Sequence, residues 1–223
     1  MTLSGFAREL AELRQCLVDM GGAVLSMVQL AVEALLARDE EKAWSVINQD
    51  KEINAQENQN VDRAIRLIAM NQPVAGDLRF LASSLRLATE LERIGDLGSN
   101  LARRALALVK LERQGSVMGT TPAELPPMAK EAASMLALAL KAFADREPLV
   151  AEEVLVMDDV VDDYNRRVRK MVMALIYDNG HLAAWGLEII NASERLERLG
   201  DHATNLAEEV IYVTQGKNVR HKY

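Results

Sequence analysis

Apolar residues recur along most of the chain at the three- and four-residue spacing of α-helices, and turn-forming residues divide the pattern into six segments. Residues 71–76 and 178–180 have the composition of turns, and residues 114–121 have that of a loop between two modules. We therefore expect an all-α protein of six long antiparallel helices. The predicted helices span residues 6–37, 40–70, 78–112, about 122–146, 148–177 and 182–215.

Several residues predict how these helices begin, bend or end. Asp77 suits the N-cap of the third helix, and residues 121–124 have the form of a capping box for the fourth. Gly216 is a C-terminal stop for the sixth helix. Gly21 and Gly22 interrupt the first helix, and they predict either a kink or a close contact with another helix.

The second half of the chain repeats the first. Residues 27–50 match residues 135–158 at an offset of 108, and Leu-Glu-Arg-Ile-Gly-Asp at 91–96 matches Leu-Glu-Arg-Leu-Gly-Asp at 196–201. A duplicated three-helix unit can carry its own core in each copy. We expect two tandem three-helix bundles, with domains at residues 1–115 and 116–223.

The third helix has a second apolar side, opposite Glu92. A helix that is apolar on two sides has to be covered twice. The sequence leaves open whether the other bundle, a second subunit or another partner covers this side. The residues on it are Leu87, Leu91, Ile94 and Leu101.

Composition and charge narrow the class of protein. Apolar residues make up 49% of the chain, which excludes a disordered protein, and the net charge of −7 argues against binding nucleic acid. The longest uncharged stretch, residues 20–32, is too short to span a bilayer, and the N-terminus does not resemble a signal peptide. A single cysteine fits a reducing compartment, so we expect a cytoplasmic protein.

Acidic residues interrupt the core-facing stripes of four helices. The two acids of one stripe lie four residues apart, and the hairpins place the acids of neighbouring helices at the same height. We expect one cluster of polar side chains in each half. The first holds Asp50, Asn54, Glu92, Asp96 and Asn100, and the second holds Asp158, Asp162, Glu197, Asp201 and Asn205.

Like charges brought together in this way repel, so something has to compensate them. A bound cation, an arginine partner and protonation are the three available remedies. Clusters of oxygen ligands suit Mg²⁺, Ca²⁺ or Mn²⁺, and iron is compatible with them. The alternative is a structural adaptor in which Arg86, Arg93 or Arg198 neutralises the acids in ordinary ion pairs.

The two repeated motifs, and above all Leu-Glu-Arg-Leu-Gly-Asp-His-Ala-Thr-Asn at 196–205, resemble the signature of the PhoU family, accessory regulators of phosphate-specific transport. Residues 20–22, 72–79 and 216–221 resemble the same family, so the resemblance covers nearly the whole chain. It implies two similar three-helix bundles and no catalysis.

The resemblance also implies partners and a role. Members of the family act in the cytoplasm as negative regulators of the phosphate-starvation response. They are thought to link the ATPase subunit of the phosphate ABC transporter to the membrane sensor histidine kinase. We therefore expect these two partners, peripheral association with the membrane through them, no nucleic acid, and a homodimer.

Some members of this family bind metal clusters through Glu/Asp-x-x-x-Asp motifs. The matching pairs here are Glu92 with Asp96, Asp158 with Asp162, and Glu197 with Asp201, whereas Asp50 is followed by Asn54. The second half keeps all four acids, so we expect a metal there first. The predicted ligands are Asp158, Asp162, Glu197, Asp201, Asp50, Glu92 and Asp96, for a divalent or trivalent ion such as iron, Mn, Mg, Ca or Zn.

A carboxylate-bridged metal enzyme is the remaining alternative. Di-iron proteins of the ferritin type need Glu-x-x-His on two helices. The residues three positions before His181, His202 and His221 include one acid, Asp178, and that acid lies in a predicted turn. The sequence therefore favours a regulator over an enzyme.

Overall fold

Six α-helices account for most of residues 5–219, the part of the chain that the computed structural model describes. They follow the predicted order, and a short 3₁₀ turn at Gly180–Leu182 precedes the last helix. The all-α prediction is confirmed. The helices are α1 Gly5–Ala37, α2 Glu40–Asn71, α3 Ala75–Arg113, α4 Leu125–Asp145, α5 Pro148–Asp178 and α6 Ala183–Gln215.

The helices pack as two three-helix bundles, which confirms the predicted architecture. Helices α1, α2 and α3 contact one another, as do α4, α5 and α6. The two bundles meet where α3 packs along α6 and α1 touches α4. The second apolar side of α3 is therefore covered by the other bundle, and Leu91 and Ile94 are buried there. The domain limits at residues 115 and 116 stay a prediction.

Close packing between the bundles explains the glycines of α1. Helix α1 is one unbroken helix, and a Cβ on Gly21 would lie 2.5 Å from Leu140 Cδ2 of α4. The predicted close contact is therefore present at Gly21, whereas a Cβ on Gly22 would meet nothing within 4 Å.

Helix α1 is also long and apolar enough to cross a membrane by length and composition alone. The sequence argument from uncharged stretches did not anticipate this. In the bundle, however, α1 buries its apolar face, including Leu13, Leu17 and Met20, in the protein core. The same composition is expected of the core helix of a bundle.

The predicted helix caps were right at one end of the chain and wrong elsewhere. Gly216 ends α6 with a φ of 70°, as predicted. Val74, not Asp77, occupies the N-cap of α3, and Asp77 lies in its first turn. Helix α4 begins after Glu124, with proline in its first turn and no side-chain cap. Arg220 and His221, which end the resembling tail segment, lie outside the described residues.

Candidate metal centres

The second acidic cluster lies in a groove between α5 and α6. Helix α5 supplies Asp158 and Asp162, and helix α6 supplies Glu197 and Asp201. Asp201 is exposed, and the other three side chains are partly buried. The acids therefore lie at the surface of the bundle, where an ion can reach them, rather than inside its core.

The electrostatics of these four residues show that their carboxylates are close together. Burial raises the pKa of Asp158 to about 6, and repulsion by Asp201 and Asp162 adds to the effect. Burial, followed by repulsion from the other three acids, also raises the pKa of Glu197. The pKa of Asp201 is raised by burial and by Asp162. Asp158, Glu197 and Asp201 are therefore harder to ionise, first because they are buried and then because neighbouring carboxylates repel them.

Gly200 makes this close approach possible. A Cβ on Gly200 would lie 3.2 Å from Asp158 Oδ1, which is tighter than ordinary van der Waals contact, and 3.6 Å from Met135 Sδ. The glycine of the repeated motif therefore lets the Asp158 carboxylate lie against the backbone of α6, next to Asp201.

The first acidic cluster lies between α2 and α3. Burial raises the pKa of Glu92, with repulsion from Asp96, Glu57 and Asp50 adding to it. Burial and Asp96 likewise raise the pKa of Asp50, against the opposing charge of Arg103. Glu57 is thus a member of this cluster that the motif did not include. It lies on the same stripe of α2 as Asp50 and Asn54, and it accepts a hydrogen bond from Thr89 at 3.1 Å.

The ion-pair alternative does not describe these clusters. Arg86 pairs with Glu209, and Arg93 lies 3.7 Å from Glu90. Arg93 opposes the rise in the pKa of Glu92 but forms no ion pair with it. Arg198 opposes the rise in the pKa of Glu197 and of Asp201, but it forms no ion pair with either. Within residues 5–219, no ion pair involves any of the seven predicted metal ligands.

Two buried oxygen atoms of the first cluster have no hydrogen-bond partner and are suitable ligands for a cation. Asp50 Oδ1 and Asn54 Oδ1 are buried and accept no hydrogen bond. A buried acceptor without a partner is costly, and a hard cation would satisfy both atoms. In the described part of the chain, however, no three His, Cys, Asp or Glu side chains form a ready-made ligand set. The metal assignment therefore stays a prediction.

Asn205 and His202 correct the predicted membership of the second cluster. Asn205 donates a hydrogen bond to Glu90 Oε2 at 3.2 Å, and His202 Nδ1 lies 2.6 Å from the same oxygen. Both therefore face α3 rather than the groove beside α5. Burial of Glu90 opposes its ionisation, but the hydrogen bonds of His202 and Asn205 outweigh that effect and hold the pKa of Glu90 below its ordinary value.

Polar contacts occur at several points along the packing of α3 on α6, which we call the α3–α6 seam. At one end Arg86 Nε donates to Glu209 Oε1 at 2.7 Å, and the guanidinium lies 5.4 Å from the centre of the Tyr212 ring. At the other end Arg104 donates to Glu188 at 2.9 Å. The pairing order shows that the two helices run antiparallel.

The raised pKa of Asp158 predicts a pH dependence of the metal-free protein. Because this pKa is about 6 in the folded state, against 3.8 ordinarily, the folded protein takes up a proton first as pH falls. The free energy of unfolding should therefore rise between pH 7 and pH 5. The full shift corresponds to about 3 kcal/mol, and solvent in the groove should reduce it to about 1 kcal/mol.

Urea denaturation of chelator-treated protein at pH 7, 6 and 5 tests this. The Asp158→Asn variant is the control, since it keeps every histidine that titrates in the same range. The gain in stability on acidification should be larger in the wild type than in the variant. Equal pH profiles for the two proteins would show that Asp158 ionises normally.

Comparisons with known proteins place these features in context. The family model described as PhoU domain matches residues 17–105 and, a second time, residues 125–210. The phosphate-specific transport system accessory protein PhoU homolog of Pseudomonas aeruginosa is 38% identical, over 97% of this chain and 88% of its own length. PhoU homolog 1 of Thermotoga maritima is 32% identical, over 96% of this chain and 91% of its own.

Two solved structures share the fold. The crystal structure of PhoU from Pseudomonas aeruginosa aligns with a TM-score of 0.89 and 34% identity, covering 95% of this chain and 100% of that one. The structure of the phosphate transport system regulatory protein PhoU from Streptococcus pneumoniae aligns with a TM-score of 0.87 and 30% identity, covering 96% and 99% of the two chains.

Proposed function

This chain belongs to the PhoU family, and we propose on that basis that it restrains the phosphate-starvation response while phosphate is plentiful. A regulatory role in phosphate transport is shown by the family itself, whose members here are accessory proteins of the phosphate-specific transport system. The observation that carries the proposal is the match of the PhoU domain to both halves of the chain.

The proposed mode of action is binding without turnover, in the cytoplasm. Its partners would be the ATPase subunit of the phosphate ABC transporter and the phosphate-sensing histidine kinase, with the protein itself a homodimer. Through these partners it would associate with the membrane surface. The relatives are named accessory and regulatory proteins, which supports a role without catalysis.

Metal binding is the second part of the proposal. Asp158, Asp162, Glu197 and Asp201 would hold one centre, and Asp50, Glu92 and Asp96 the other, with Asn54 beside them. The uncompensated carboxylates and the orphaned oxygens of Asp50 and Asn54 support this. A bound cation would supply positive charge, which would allow the acids of two neighbouring helices to lie together.

Deletion of the gene tests the regulatory role. A reporter controlled by phosphate starvation should switch on in phosphate-rich medium once the gene is deleted, because nothing then restrains the response. Return of the wild-type gene should silence the reporter again. A reporter that stays silent in the deletion strain would count against the proposal.

Capture of the transporter ATPase and of the kinase on the immobilised protein tests the proposed partners separately. If the deletion strain loses repression but the protein binds neither partner, the regulatory role would stand and the proposed mode of action would be wrong.

A further inference from the structure

A cavity of about 550 Å³ lies at one end of the boundary between the two bundles. The first half of the chain contributes Leu10, Arg14, Asp77 and Phe80 to its walls, and the second half contributes Arg146 and Val213. The cavity is separate from the two acidic clusters, none of whose acids line it. Its charge is set by two arginines and one acid.

Arg14 is held firmly in this cavity. Its guanidinium carbon lies 4.2 Å from the centre of the Phe80 ring and 5.6 Å from that of Phe143. The side chain is half-buried, and within residues 5–219 no carboxylate forms an ion pair with it. A guanidinium fixed between aromatic rings loses little further freedom when it binds a ligand.

Arg146 brings a second positive charge to the same place. It ends α4 in the left-handed conformation, with a φ of 58°, and lines the cavity beside Arg14. Burial, followed by the charge of Arg146, lowers the pKa of Arg14 to about 10. In the described part of the chain Asp77, the acid in the cavity wall, forms no ion pair with either arginine.

The two neighbouring guanidinium groups repel each other, and half-buried Arg14 also loses solvation, so an anion between them would be favourable. We propose that this cavity binds an oxyanion of the phosphate class between Arg14 and Arg146. Guanidinium groups suit such a ligand because they donate two parallel hydrogen bonds to its oxygens. The proposal goes beyond the regulatory function and does not depend on it or on the metal centres.

The cavity has room for more than inorganic phosphate, since 550 Å³ lies within the range of pockets for small organic ligands. Leu10, Phe80 and Val213 give it apolar walls, which would contact the organic part of a phosphate ester. The shared chemistry is the phosphate group. Free phosphate and a phosphate ester are therefore tested separately in the same experiment.

The test measures binding and melting temperature with inorganic phosphate and with AMP, against chloride at the same ionic strength. We expect the wild type to bind at least one of the two phosphates and to melt at a higher temperature in its presence, since a ligand of the folded state stabilises it. Arg14→Gln and Arg146→Asn should each weaken binding at least tenfold. Asp77→Asn, which removes the negative charge, should strengthen it severalfold.

Arg8→Gln is the matched control. Arg8 lies on α1 and pairs with Glu12 at 3.1 Å, outside the cavity, so its loss removes the same charge without touching the site. Binding should be unchanged in this variant. Arg14→Gln should also melt no lower than the wild type in chloride, because it removes an uncompensated charge.

Several results would overturn the proposal. One is a wild type that binds neither phosphate, or that responds to chloride as strongly. A second is an Arg14→Gln variant that binds phosphate as tightly as the wild type does. A third is an Arg14→Gln variant that melts at a lower temperature than the wild type in chloride, together with an Arg146→Asn variant that keeps full phosphate binding. The exposed Arg146 can be replaced without disturbing the core, so that variant decides the question even if Arg14→Gln fails to fold.

Discussion

Replacing Glu197 and Asp201 with Gln and Asn should raise the melting temperature of the metal-free protein and abolish the part of its response to added metal that comes from the second acidic cluster. The two substitutions keep the shape of the side chains and remove two charges from a cluster whose members repel. In the wild type, a cation at a hundredfold excess over its Kd should add about 2.7 kcal/mol to the free energy of unfolding. For a chain of this size, that is about 5–10 °C in Tm.

Two exposed acids on α5 provide the matched control. Glu152→Gln with Glu153→Gln changes the net charge equally but lies outside the cluster, so the response to metal should remain. Melting curves with and without chelator, together with metal analysis of protein purified without chelator, give the readout. A wild type that carries no metal and melts identically in both buffers would refute the metal assignment.

Replacing Glu90 with Ala should destabilise the protein by about 2–4 kcal/mol, the second large effect that we expect. Glu90 is 8% exposed in the α3–α6 seam. Its loss would leave His202 and Asn205 without the oxygen to which both bind. Because the lowered pKa of Glu90 favours its ionised form, its contribution should be present at neutral pH and be lost as pH falls below about 4.5.

Glu188→Gln is the control for this prediction. It removes a charge from the same seam, but its pair with Arg104 is partly exposed, and such pairs contribute at most about 1 kcal/mol. Urea denaturation at pH 7 measures both variants. An equal loss in the two would mean that the buried network contributes no more than an ordinary surface ion pair.

Periodicity and the internal repeat predicted the fold well because both report local and intramolecular regularities. All six helices begin within three residues of the predicted positions, and the buried second side of α3 follows from its sequence. Caps were harder. Pro126 and Pro127 place the start of α4 after Glu124, whereas the Thr121 motif that suggested an earlier start makes no cap there.

The error at Asn205 has a simple geometric cause. Each step of four residues turns about 40° around a helix, because four residues exceed one full turn. Glu197 and Asp201 therefore share the groove beside α5, but Asn205, a further step along, has turned towards α3. Grouping residues by a spacing of four ignores this accumulated rotation, and it does not include the position of the neighbouring helix.

The paired arginines of the cavity could not be predicted from sequence spacing at all. Arg14 lies in α1, outside the repeated segments, and Arg146 follows the end of α4, where the repeat matches it with Arg38 and not with Arg14. Only the packing of one bundle on the other brings them together. Tertiary contacts of this kind leave no periodic signal in the chain.

The seam between α3 and α6 is nearly symmetric, and this bears on how the protein arose. Arg104 pairs with Glu188. At the offset of 105 residues, Arg104 corresponds to Glu209 and Glu188 corresponds to Ser83. Arg86 binds both Glu209 and Ser83. Such an arrangement is the isologous contact that two identical copies of a single half would make. In two identical copies of one gene product, the positions of Asn54 and Asp162 would have to hold the same residue. Fusion into one chain removed that constraint, so that each half can change its acids, and with them its charge, without altering the other.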